Sequence, residues 1–124
     1  MIIHNGKTHK LKITKGLLDR YFKKAGVSPE KAKVADIRQV LLMVLKDFFD
    51  GKIGIDGLSY IGTQLYFEIC KPSWFENIDM ELGKILYEVS EASWYKIKNH
   101  KKYKNMESQI KKYFDKNKNL PRYK

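Results

Sequence analysis

The stretch Val34-Ala35-Asp36-Ile37-Arg38-Gln39-Val40-Leu41-Leu42-Met43-Val44-Leu45-Lys46-Asp47-Phe48-Phe49 decides the fold. Val34, Ile37, Leu41, Val44, Leu45 and Phe48 recur at helical spacing, and Val40, Leu42, Met43 and Phe49 carry apolar character around most of the circumference. A helix apolar on most sides has to be enclosed by other elements. The pattern predicts a central helix over 34–49, halted at Asp50-Gly51. Ser28-Pro29 offers a start upstream, with a hydroxyl at the N-cap and a proline at the first helical position, where a missing N–H costs nothing.

Working outward, Leu17, Leu18, Tyr21, Phe22 and Ala25 share one face of a helix over about 15–25, capped by Thr14 and ended by Gly26. Residues 2–13 alternate weakly around Asn5-Gly6, a dipeptide suited to a type I′ turn, which is compatible with a short β-hairpin. Beyond the centre, Gly51, Gly54 and Gly57 mark a turn-rich connector. Asp56 is positioned to cap a third helix carrying Leu58, Ile61, Leu65 and Ile69, and Gly62 within it suggests close helix approach. Lys71-Pro72 ends that helix. Ser73-Trp74-Phe75-Glu76 has the form of a capping box and opens a helix with Ile78, Leu82, Ile85, Leu86 and Val89, reaching Trp94 or Tyr95. A last helix carries Tyr103, Met106, Ile110, Tyr113 and Phe114. The expected fold is mainly α: one domain over 1–116, a compact bundle of four or five helices, with a frayed basic tail over 117–124.

The chain has 124 residues and a formal charge of +11, from 25 Lys plus Arg against 14 Asp plus Glu. Residues 1–50 carry net +6, residues 51–95 net −4 and residues 96–124 net +9. One cysteine excludes an internal disulfide framework and an all-cysteine metal site. The longest apolar run, Val40 to Leu45, is far short of a membrane span, and the first residues lack the apolar stretch of a signal peptide. The expectation is a cytoplasmic protein that does not engage a membrane.

Motifs for chemistry are incomplete. Gly51-Lys52-Ile53-Gly54 lacks the Ser or Thr that a phosphate loop places after its lysine. His4 and His9 would share a hairpin face, but no third metal ligand is near in sequence. Cys70 follows an apolar stripe, the position of a small buried hydrophobe rather than of a nucleophile beside a base. Glu68, Glu76, Asp79, Glu81, Glu88 and Glu91 read as a solvated face able to pair with the basic segments. No nucleophile–base–orienter set is visible, so no enzyme activity, cofactor or metal is expected.

The stretch Trp94-Tyr95-Lys96-Ile97-Lys98-Asn99-His100-Lys101-Lys102-Tyr103-Lys104 interleaves aromatics with lysines. Rings of this kind stack on bases while ammonium groups neutralise phosphates. The competing reading makes the rings core and the lysines a solvated face that snorkels over it. The candidate contact residues are Lys96, Lys98, Lys101, Lys102, Lys104, Lys111 and Lys112. Arginine is scarce (Arg20, Arg38 and Arg122), which favours diffuse phosphate attraction over base reading. The expected function is a non-enzymatic binding module for an acidic partner, nucleic acid first and an acidic protein second.

Phe48-Phe49-Asp50-Gly51-Lys52-Ile53, then Leu58-Ser59-Tyr60-Ile61 and Glu68, resembles the helix–Gly-x-Ile–helix step of small helical bacterial immunity proteins that neutralise colicin-type or contact-dependent toxins. The resemblance covers residues 48–68. It implies a protein-binding inhibitor or antitoxin that caps a toxin domain, and it carries no individual functional residue over to this chain.

Overall fold

A computed structural model describes residues 16–119. Residues 16–25 form α1, and Gly26 (φ 75°) ends it in the left-handed region that glycine enters at no steric cost. Pro29–Lys31 is a single 3₁₀ turn. The remaining helices are α2 (Val34–Phe49), α3 (Ile55–Thr63), α4 (Pro72–Asn77), α5 (Met80–Ser90), α6 (Ala92–Lys98) and α7 (His100–Asn117). Gln64–Ile69 continues α3 as a π-helical segment.

The central helix is as expected. Ile37, Val40, Leu41, Val44 and Leu45 of α2 are wholly buried, and Gly51 (φ 78°) turns the chain out of it. Leu18, Tyr21 and Phe22 of α1 and Leu58, Ile61 and Leu65 of the third helical stretch are buried in the same core. Leu82, Leu86 and Val89 of α5 and Met106, Ile110 and Tyr113 of α7 complete it. Gly62 does what its position suggested: a Cβ there would lie 2.6 Å from Val89 Cγ1 and 2.8 Å from the Ser90 nitrogen. The α3–α5 contact is further tied by Ser59 Oγ, which donates to the Ser90 carbonyl at 2.7 Å.

Four expectations are corrected. Mainly α holds, but the described residues contain seven α-helices rather than four or five. The long helix expected from Ser73 is three helices, because stronger local caps intervene. Pro72 takes the first position of α4, and Ser73 makes no capping bond. Asp79 caps α5 by accepting the Leu82 N–H at 2.9 Å, which ejects Ile78 from the apolar stripe and leaves it 64% exposed. Asn99 caps α7 by accepting the Lys102 N–H at 3.1 Å. Ser28-Pro29 begins only the 3₁₀ turn, since Ala32 is extended, and α2 starts at Val34 after Lys33. No strand occurs among the described residues, and the hairpin expected at 2–13 lies outside them. Asn117, expected to open a frayed tail, is the last residue of α7; it is buried, and its amide donates to the Tyr113 carbonyl at 2.8 Å. Residues 120–124 of that tail lie outside the described residues.

Candidate nucleic-acid interface

α6 and α7 form an antiparallel-capable corner around Asn99, and they carry every lysine of the predicted site. Over residues 92–117 there are eight lysines against two carboxylates, Glu107 and Asp115. The core stripe of α7 is Tyr103, Met106, Ile110, Tyr113 and Asn117, so the lysines fall on its flanks and outer side.

The seven predicted lysines divide by what they touch. Lys96 Nζ lies 5.7 Å from the Tyr103 ring centroid, and Lys102 Nζ lies 5.6 Å from that of Tyr95. Each lysine of one helix thus covers a tyrosine of the other, which is the snorkelling arrangement. Lys111 reaches Asp115 at 3.4 Å and lies over the Phe49 and Phe114 rings. Lys104 reaches Glu107 at 3.6 Å. Lys98, Lys101 and Lys112 are exposed and make no ion pair or ring contact among the described residues. Lys101 and Lys112 are eleven residues apart, so they point the same way about 16 Å apart along α7.

The aromatics divide as well. Tyr95 and Tyr103 are buried at 4% and 9% exposure, so neither ring face is open to a base. Burial, followed by Glu88 and Glu91, pushes the Tyr95 hydroxyl up to about 12. Trp94 is different: it is 53% exposed, one turn before Lys98 on α6, with Ile97 also exposed. The expected aromatic–lysine weave therefore reduces to one open ring, Trp94, and three uncommitted ammonium groups.

A second cationic concavity escaped the sequence reading. Arg20 and Lys24 of α1 and Lys52 after α2 line a groove of about 140 Å³ with Tyr21 and Asp47. Its floor is tied by the Tyr21 hydroxyl, which donates to Asp47 Oδ2 at 2.5 Å. Charge counting cannot bring together residues 20, 24 and 52; only the packing of α1 against the end of α2 does.

Cys70 is buried, and burial pushes its thiol up to about 12, which keeps it protonated at neutral pH. No group of three His, Cys, Asp or Glu able to hold a metal ion occurs among the described residues, and His4 and His9 lie outside them. No helix among the described residues is long and apolar enough to cross a membrane. Comparison with protein-family models, with curated proteins and with solved structures gives no match to this chain.

Proposed function

We propose that this protein is a non-enzymatic, cytoplasmic binding module whose α6–α7 face takes nucleic acid. The supporting observation is the uncommitted set Lys98, Lys101 and Lys112 beside the exposed ring of Trp94. Ammonium groups without a counter-charge gain most from releasing the condensed ions of a phosphate backbone. Lys104 and Lys111 form a second tier. Their exposed helical pairs are worth about 0.5 kcal/mol or less, so a phosphate can displace the carboxylate. A single open indole suits stacking on an unpaired base, which points to single-stranded targets and little sequence preference.

The test is a salt titration with mixed-sequence single- and double-stranded oligonucleotides. Log affinity falls with log salt by about 0.7 per phosphate engaged on single strands. Replacing Lys98, Lys101 and Lys112 together by Gln lowers the slope by roughly 2 to 3 and weakens all sequences alike. Trp94→Ala weakens single-strand binding by about 1–3 kcal/mol and leaves duplex binding nearly unchanged. Affinity weaker than about 10⁻⁴ M at physiological salt would eliminate the reading.

A further inference from the structure

The short helix α4 stands over a surface that the nucleic-acid reading leaves unused. Tyr66 of the π-helical segment, Phe75 and Glu76 of α4, and Met80, Lys84 and Tyr87 of α5 line a groove of about 530 Å³. Tyr66 is its hub. It stacks on Phe75 at 5.1 Å and 9°, meets Tyr87 edge-on at 5.6 Å, and meets Phe67 edge-on at 4.8 Å. Phe67, Met80 and Tyr87 are nonetheless 60%, 73% and 43% exposed. Isolated exposed apolar residues need no explanation, but a joined group of this size marks an interaction site. Tyr, Phe and Met are also the types concentrated at the centres of protein interfaces.

Charge selects the occupant. The chain carries +11, so two copies repel one another over most of their surface. This groove lies in the acidic middle of the chain, and its rim balances one acid, Glu76, against one base, Lys84, neither of which forms an ion pair among the described residues. A two-fold axis turns such a patch onto itself, so that each residue meets its counterpart's complement twice. Glu76 then faces Lys84 of the second copy, and Lys84 faces Glu76.

We propose that the groove is a homodimer interface, occupied by a second copy of this chain through a two-fold contact centred on Phe67, Met80 and Tyr87. The exposed parts of these side chains offer roughly 400 Å² per copy. A standard interface buries about 800 Å² per partner, so the rim residues of α4 and α5 supply the remainder. The dimer does not depend on nucleic-acid binding. If both hold, it presents two lysine faces on one particle and raises the avidity for a long strand.

Sedimentation equilibrium over about 1 to 200 µM tests the proposal without any nucleic acid, spanning affinities usual for such interfaces. The expected result is a mass rising from 14.6 kDa to twice that value. Met80→Asp, at a side chain too exposed to matter for folding, should hold the protein monomeric with an unchanged circular-dichroism spectrum. Glu76→Lys and Lys84→Glu should each weaken the dimer about tenfold or more, and the Glu76→Lys/Lys84→Glu double variant should restore it. A monomer at every concentration overturns the proposal and leaves the face to a different protein. A dimer indifferent to Met80→Asp, or a double variant no better than its parents, overturns it equally.

Discussion

The carboxylate of Asp79 serves two helices at once: Oδ1 accepts the Leu82 N–H of α5 at 2.9 Å, while Oδ2 holds the Arg38 guanidinium of α2 at 2.7 Å. Both side chains of the pair are largely buried, at 20% and 15% exposure. The same residue therefore sets where α5 begins and how it meets the central helix. Asp79→Ala should lose both the cap and the part-buried ion pair to Arg38, at a cost of about 2–4 kcal/mol. Asp79→Asn keeps a cap acceptor and should cost less. Urea midpoints decide it, and equal losses for both variants would show that the charge contributes nothing.

Tyr113 lies behind that pair. Its hydroxyl is buried and meets no partner at full hydrogen-bond geometry among the described residues, the Arg38 side chain being a weak polar neighbour there. Burial, with Asp79 adding to it and Arg38 opposing, drives its ionisation far upward. An unmade bond costs free energy in the folded state, so Tyr113→Phe should be neutral or stabilise by up to about 1 kcal/mol. A loss above about 1.5 kcal/mol would mean that the hydroxyl has a partner.

Two helical glycines leave no room for alanine. At Gly62 the new Cβ meets the Val89 side chain and the Ser90 backbone, which cannot swing aside. Gly62→Ala should destabilise by about 1–3 kcal/mol despite its better helix propensity. At Gly83 the obstacle is the base of the Phe75 side chain, with Cγ at 2.6 Å and Cβ at 2.8 Å, so a rotamer change does not clear it and the short helix α4 has to move. Gly83→Ala should therefore destabilise by about 1–3 kcal/mol as well, and it should disturb the Tyr66–Phe75 stack, seen in near-ultraviolet circular dichroism. A stabilising alanine at either position would contradict the packing described.

Leu41 and Leu45 have no exposed surface in α2. Either leucine replaced by alanine should cost about 2–5 kcal/mol, the spread reflecting how far each site can collapse. Unchanged denaturation midpoints for both would remove α2 from the centre of the fold.

Alkaline pH should destabilise the protein in a definite order. The Cys70 thiol, ordinarily near 9, is pushed up to about 12 by burial. The unfolded chain therefore gives up this proton first, and stability present below pH 9 is lost as the pH rises towards 12. The Tyr95 hydroxyl, raised from 10.0 to about 12, adds a second loss that begins near pH 10. Cys70→Ala should remove the earlier part of the decline. A thiol reagent should label native Cys70 only as fast as the structure opens, and rapid labelling at pH 8 would refute its burial.

Much of the core was legible because periodicity reports burial: Val34, Ile37, Leu41, Val44 and Leu45 of α2 and Tyr103, Met106, Ile110 and Tyr113 of α7 are buried, while Leu42, Met43, Phe48 and Phe49 are only half-buried. Helix ends were harder. The Ser73–Glu76 capping box is a valid local signal, but Pro72 and Asp79 compete within a few residues, and the tertiary bond from Arg38 favours Asp79. The lysine site was legible as charge but not as geometry. Spacing placed Tyr95 and Tyr103 equally well in the core or beside a ligand, and only helix packing shows Lys96 and Lys102 laid across their rings. The groove beneath Tyr66 was hard to read from the sequence: Met80, Lys84 and Tyr87 share one face of α5, but Tyr66, Phe75 and Glu76 come from two other elements that only packing brings to it.

The π-helical segment Gln64–Ile69 sets the register of that groove. Its backbone closes five residues back, as in the Cys70 N–H to Leu65 carbonyl bond at 2.9 Å, where an α-helix closes four back. A wider turn of this kind accommodates one residue more than the regular helix. The extra residue rotates everything after it by about 100° relative to a regular continuation of α3. Deleting one residue between 64 and 69 would undo that rotation and carry Phe67 around the axis, away from Tyr66's neighbours. The aromatic face thus hangs on a single residue of helix register.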